Sequence, residues 1–207
     1  MTDDGAARDV IRQRVRDSIA LKEALLAERF IEAVANLADR LVDSVRGGGK
    51  VILFGNGGSA ADATHLAAEF VGRFAFDREP MPALSLSDNG SSVTAIANDY
   101  CYELTFARQV TALGSAGDVA IALSTSGSSA NVLEGVRAAR AQGMFTAAFT
   151  GAKGTRMAAL ADLAIVVPSD VTARIQEGYM LLAHIMCELV EQELFSERDR
   201  PRLMPAA

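Results

Sequence analysis

The chain has 207 residues, with 20 Lys plus Arg against 26 Asp plus Glu, and a formal charge of −6. Half of the residues are hydrophobic and 22% are charged, which excludes a disordered segment and a coiled coil. An acidic balance with no basic run and no Trp argues against nucleic-acid binding as the main task, and no stretch reaches the roughly 18 uninterrupted apolar residues of a membrane helix.

The N-terminal segment MTDDGAARDVIRQR is charged and lacks the apolar core of a signal peptide, so a cytoplasmic location is expected. Cys101 and Cys187 are far apart and form no CxxC pair, which suggests buried thiols in a reducing compartment. Residues 6–46 contain neither Pro nor Gly. Leu21, Leu25, Ile31, Val34, Leu37, Leu41 and Val45 recur there at near-helical spacings, predicting one or two amphipathic helices that end at Gly47-Gly48-Gly49. These helices are expected to pack on the core or on a neighbouring subunit, so residues 1–207 read as one domain.

From Lys50 the pattern changes to short β-prone runs alternating with helical stretches. Val51–Phe54 leads into a Gly-rich turn and a helix of about fifteen residues. Ala83–Leu86 is a shorter strand, and Val119–Leu123 precedes a Ser-rich turn and a helix over Ala130–Gln142. Phe145–Phe149 and Leu163–Val167 follow with a helix between them, and a long helix covers Arg174–Phe195. Apolar strands separated by helices rather than hairpins predict a parallel sheet covered on both faces. Ligands of such sheets bind at the carboxyl ends of the strands, which directs attention to the turns there.

The first turn is Gly55-Asn56-Gly57-Gly58-Ser59. Glycines let the backbone approach a ligand, and a helix N-terminus offers unpaired N–H groups to an anion. The turn is not GxGxxG, and no GxxxxGK[ST] occurs, so dinucleotides and nucleoside triphosphates lose ground. A Gly-rich turn without a ligand is the competing reading. The second turn, Ser124-Thr125-Ser126-Gly127-Ser128-Ser129, carries five hydroxyls just before a helix. One hydroxyl suffices for an N-cap, and the surplus favours a phosphate held without Lys or Arg.

His65 and His184 are the only histidines. His65 and Glu69 share one helix face at i,i+4, a spacing that suits a shared divalent metal, a proton-transfer pair or a surface polar pair. The apolar neighbours Ala63, Leu66, Ala67, Ala68 and Phe70 weigh against the last. His184 sits in the apolar run Tyr179–Cys187, where a satisfied core histidine is the bland alternative. Gln176 lies eight residues before it, roughly 12 Å of helical rise, whereas two ligands of one zinc sit only about 3–4 Å apart. If both serve one metal, either Gln176 lies on an irregular start of the helix, which Gly178 permits, or different subunits supply them.

The segments GNGGSAADATHLAAEFVGRF (55–74), AIANDY (95–100), STSGSSANV (124–132) and RIQEGYMLLAH (174–184) resemble the bacterial phosphoheptose isomerases, which are sugar-isomerase (SIS) domain proteins. The resemblance implies a three-layer α/β SIS fold, a parallel five-stranded sheet flanked by helices and preceded by N-terminal helices. It implies a homotetramer with active sites at or near subunit interfaces and one zinc per subunit. It also implies interconversion of sedoheptulose 7-phosphate and D-glycero-D-manno-heptose 7-phosphate through an enediol. The zinc ligands carried across are His65, Glu69, Gln176 and His184, with Glu69 as base and His184 as acid. The substrate contacts are Asn56, Gly57, Gly58, Asn98, Asp99, Ser124, Thr125, Ser126, Ser129 and Gln176. Gly178-Tyr179 departs from the His or other polar pattern that many relatives carry after RIQE. Two other functions fit the same scaffold: a protein-interaction module of the replication-initiator-binding type, and an isomerase or sensor of another sugar phosphate. The four retained ligand positions favour the heptose enzyme.

Overall fold

The computed structural model describes residues 4–195. The expected domain of 1–207 reaches beyond it, since residues 1–3 and 196–207 lie outside the described residues. Helices α1 (Asp4–Ala24) and α2 (Glu28–Arg46) come first. They are followed by β1 (Val51–Gly55), α3 (Gly58–Val71), β2 (Ala83–Ser85), α4 (Gly90–Asp99) and α5 (Thr105–Leu113). The remainder is β3 (Val119–Ser124), α6 (Ala130–Ala141), β4 (Phe145–Gly151), α7 (Thr155–Leu160), β5 (Leu163–Val167) and α8 (Thr172–Leu194).

All five strands are parallel, in the order β2-β1-β3-β4-β5. Parallel neighbours need crossover connections, and the helices that supply them cover both faces. Side-chain alternation divides the core accordingly. Val51, Leu53, Ile121 and Phe149 pack beneath α2, α3 and α8, while Ile52, Phe54, Ala120 and Ala148 pack beneath α5, α6 and α7. The three-layer α/β/α arrangement is the one expected.

The N-terminal segment forms two helices, broken at Ala27, whose backbone is extended (φ −63°, ψ 137°). Phe30, Val34, Leu37 and Leu41 of α2 are buried on the sheet, each large side chain contributing about 1.5–3 kcal/mol. Ile31, included in that apolar stripe by spacing, is instead 50% exposed because it falls one position off the buried face. Helices α4 and α5 carry no sequence expectation. The first turn of α4 is Gly-Ser-Ser, a weak helix former, and is held by the Asn89 side chain accepting from Ser92 N at 3.0 Å.

Winding reverses between β1 and β3, so the β1–α3 and β3–α6 loops lie side by side at the carboxyl ends of the strands. Helix α8 is continuous through Gly178. A Cβ at Gly178 would stand 2.9 Å from Val167 Cγ1 and 3.2 Å from Leu21 Cδ2, so the glycine permits close packing rather than an irregular start.

Candidate active site

The two loops are joined by reciprocal amide bonds. Asn56 Nδ2 donates to Asn131 Oδ1 at 2.8 Å, and Asn131 Nδ2 donates to Asn56 Oδ1 at 2.9 Å. Tyr102, just after α4, donates to the same Asn56 oxygen at 3.0 Å. Asn131 is buried, so Asn56 is held at the switch point from two directions. Gly57 and Gly58 are exposed beside it. A Cβ on Gly58 would meet Gln176 Nε2 at 2.6 Å, so the bare glycine is what admits α8 to the loop.

The hydroxyl loop divides its labour. Ser124 is buried and accepts from Gly127 N at 3.1 Å, shaping the loop from beneath. Gly127 (φ +59°) packs against Gly154 where no Cβ fits. Ser126 Oγ is exposed and accepts from Ser128 N at 3.3 Å. Ser129 occupies the N-cap position of α6 without a side-chain capping bond, so capping does not account for its hydroxyl. Thr125, Ser126 and Ser128 open onto a cavity of about 310 Å³ shared with Lys153, Ser169, Asp170, Thr172 and Ile175. Lys153, absent from the sequence expectation, pairs with Asp170 at 3.3 Å. Its only sequence signal is its place in the turn after an apolar strand.

Helices α3 and α8 bring the titratable groups together. His65 Nε2 lies 3.0 Å from Glu69 Oε1 and 3.4 Å from His184 Nε2. Ligand atoms of all three converge within 4.8 Å. One N–H on His65 Nε2 cannot serve both neighbours, whereas three ligand atoms gathered this closely suit a cation. Tetrahedral ligands about 2.0–2.1 Å from zinc stand roughly 3.3–3.5 Å apart, so the nitrogen spacing and the N₂O donor set fit a divalent metal. The Phe74 ring lies 5.8 Å from His184. Cys187 is buried, and burial followed by the Glu69 charge pushes its thiol up to about 12, so it stays protonated at neutral pH.

Gln176 stays apart from this cluster within the chain. Its Nε2 donates to Asp62 Oδ2 at 2.8 Å, where Tyr179 also donates at 2.7 Å. Tyr179 is fully buried, 3.0 Å from Ser59 Oγ, and burial together with Asp62 raises its phenol pKa. The departure at Gly178-Tyr179 is thus a packing glycine and an anchor for the Gln176 amide. Asn98 and Asp99 sit exposed at the end of α4, Asn98 Nδ2 donating to Asp99 Oδ1 at 2.9 Å, outside the network that joins the two loops.

The family model of the SIS domain matches residues 15–151. The chain is similar to a phosphoheptose isomerase of Burkholderia pseudomallei (strain 1710b), 50% identical over 189 residues that cover 91% of this chain and 96% of that one. A solved phosphoheptose isomerase from Neisseria gonorrhoeae superposes with a TM-score of 0.85 at 39% identity, covering 90% of this chain and 99% of that one. One from Francisella tularensis gives a TM-score of 0.86 at 33% identity, covering 90% and 98%.

Proposed function

The chain belongs to the SIS-domain phosphoheptose isomerases, and we infer that it is an aldose–ketose isomerase that interconverts sedoheptulose 7-phosphate and D-glycero-D-manno-heptose 7-phosphate. The observation that carries this reading is the convergence of His65, Glu69 and His184 within 4.8 Å, in a chain whose Ser-rich loop lies at the same carboxyl edge of the sheet.

The reaction moves a hydrogen between adjacent carbons. Glu69 takes a proton from C1 of the ketose while His184 protonates O2, giving the enediol. Glu69 returns its proton to C2, and His184 recovers a proton from O1, leaving the aldehyde at C1. His65, Glu69 and His184 would hold a divalent metal, proposed as one zinc per subunit. When bound, the metal supplies Lewis-acid polarisation of the carbonyl. With a metal bound, Glu69 would ligate through one oxygen and keep the other for the proton, and His184, which would be a ligand as well, would exchange protons through the ring nitrogen left free.

The hydroxyls of Ser124, Thr125, Ser126 and Ser129 hold the phosphate end, which fixes the reacting carbons by orientation rather than charge. Asn56, Gly57, Gly58, Asn98 and Asp99 contact the sugar. Asp62 accepts from Gln176 Nε2, which would leave Gln176 Oε1 to face the sugar and a bound zinc. If both serve one metal, the Gln176-to-His184 separation along a continuous helix supports their supply by different subunits. The assembly proposed is a homotetramer in the cytoplasm. Val10, Ile11, Val15 and Ile19 of α1 are more than half exposed, and α4 has no buried residue, which supports covering of both helices by neighbouring copies.

Two measurements test this. Given sedoheptulose 7-phosphate, fructose 6-phosphate and ribulose 5-phosphate in parallel, the protein is expected to convert the heptulose with the highest kcat/KM. An equal or higher value for a hexulose or pentulose phosphate overturns the substrate assignment. Lys153→Ala is expected to raise KM by at most about fivefold with kcat unchanged, the scale of one exposed charge. A change in kcat instead would place Lys153 at the reacting end.

A further inference from the structure

We propose that Arg78 and Glu191 are positioning residues that hold the helix of His65 and Glu69 and the helix of His184 at the separation a metal ion requires. The inference rests on the reading of that cluster as a metal site.

Both side chains are fully buried, Arg78 Nε donating to Glu191 Oε1 at 2.8 Å. Arg78 is bonded to the helix that carries His65 and Glu69, and Glu191 is part of the helix that carries His184. The Arg78 guanidinium closes the C-terminus of α3: Nη2 donates to the Glu69 carbonyl at 2.7 Å, and Nη1 donates to the Phe70 carbonyl at 2.9 Å and the Gly72 carbonyl at 3.3 Å. These carbonyls belong to the last turn and cap, which lack partners within the helix, and a cation there also complements the helix dipole. The backbone of Glu69 itself is therefore held by Arg78.

Glu191 lies on α8 seven residues after His184, two turns along, and so on the same helix face. Besides Arg78, its carboxylate accepts from Phe74 N at 2.9 Å and Ala75 N at 2.6 Å. That fixes the segment after α3 and with it the Phe74 ring, 5.8 Å from the His184 ring. One ion pair thus links the two metal-bearing helices directly and packs the ring that flanks His184. A buried pair of charges is a poor device for stability alone, because apolar side chains of similar volume serve as well or better. What it adds is direction: a fixed fork of donors and two fixed acceptors admit one relative placement of α3 and α8.

The test is cobalt(II) titration of the zinc-free protein, read by its visible absorption, with melting temperature and steady-state kinetics on the same samples. Glu191→Gln is expected to weaken cobalt binding 10–100-fold, as loss of groups supporting metal ligands does, and to lower kcat while KM changes less than twofold. Asp118→Asn is the control. Asp118 accepts from Lys50 N at 2.9 Å and Ser115 N at 2.8 Å at the opposite end of the strands, so its loss is expected to lower the melting temperature and leave cobalt affinity as in wild type. If Glu191→Gln does not fold, Arg78→Lys, which keeps the charge and loses the fork, is expected to weaken cobalt binding about tenfold. Wild-type cobalt affinity in the folded variant, or an equal loss in Asp118→Asn, overturns the positioning role alone. Failure of the wild-type protein to bind cobalt overturns the metal reading and this proposal with it.

Discussion

Glu69→Gln lowers kcat roughly 10²–10⁴-fold, the contribution of a positioned general base, and leaves KM within a few-fold of wild type. The amide preserves the volume of a side chain that is 24% exposed, so no cavity opens and α3 keeps its place. It cannot take a proton from carbon, however, and carries no charge toward a cation. Substrate binding is expected to survive because the proposed phosphate contacts come from the Ser124–Ser129 loop and not from α3. Steady-state kinetics in both directions, with the heptose phosphates separated by anion exchange, check this. Because one carboxylate moves the proton in both directions, the forward and reverse rates fall by the same factor. A loss smaller than tenfold would assign the base to another residue.

Arg78→Met destabilises the protein by about 3–5 kcal/mol at neutral pH, the cost of leaving a buried charge without its partner. Both side chains are fully buried, so solvent does not screen the loss. For a chain of this size that lowers the melting temperature by roughly 6–20 °C. The pH dependence follows from Glu191. Burial alone would raise its pKa, but the N–H groups of Ala75 and Phe74 and the Arg78 guanidinium outweigh burial and hold it below the ordinary 4.5. A depressed carboxyl contributes stability above its unfolded value, and that contribution is lost as pH falls through the folded value. In Arg78→Met the orphaned carboxylate takes up a proton more readily. The gap in melting temperature between the two proteins is therefore expected to narrow between pH 7 and pH 4. Calorimetry over that range checks both the size and the sign, and a gap that widens on acidification would contradict the assignment.

The strands and ligand loops were legible because their signals are local. Val51–Phe54 and Val119–Leu123 are uninterrupted apolar runs ending in Gly- or Ser-rich turns, and no other element suits that composition. Helix α4 was not legible, since its Ser and Gly residues gain helicity from the Asn89 cap and the packing of the following turn rather than from propensity. The His65/Glu69 pair could be read from its i,i+4 spacing. Its meeting with His184, across 119 residues, followed only from the family resemblance. Asp62, Lys153, Arg78 and Glu191 gave no warning, because each is tied to a partner 17 to 117 residues away, which no local pattern encodes. Gln176 shows the reverse case. Its place in the RIQE segment and its eight-residue separation from His184 were legible, while its bond to Asp62 and the unbroken course of α8 through Gly178 were not.

An NMR time course of sedoheptulose 7-phosphate in deuterated water tests the central claim most directly. Four parallel samples are needed: wild type with zinc, wild type with chelator, Glu69→Gln with zinc, and no protein. The account predicts aldoheptose 7-phosphate carrying deuterium at C2 in the first sample alone, because the proton that Glu69 moves exchanges with solvent. Turnover that persists with chelator would remove the metal from the reaction, and turnover that persists in Glu69→Gln would remove the base. No aldoheptose from the folded, zinc-loaded wild type would contradict the heptose isomerase itself.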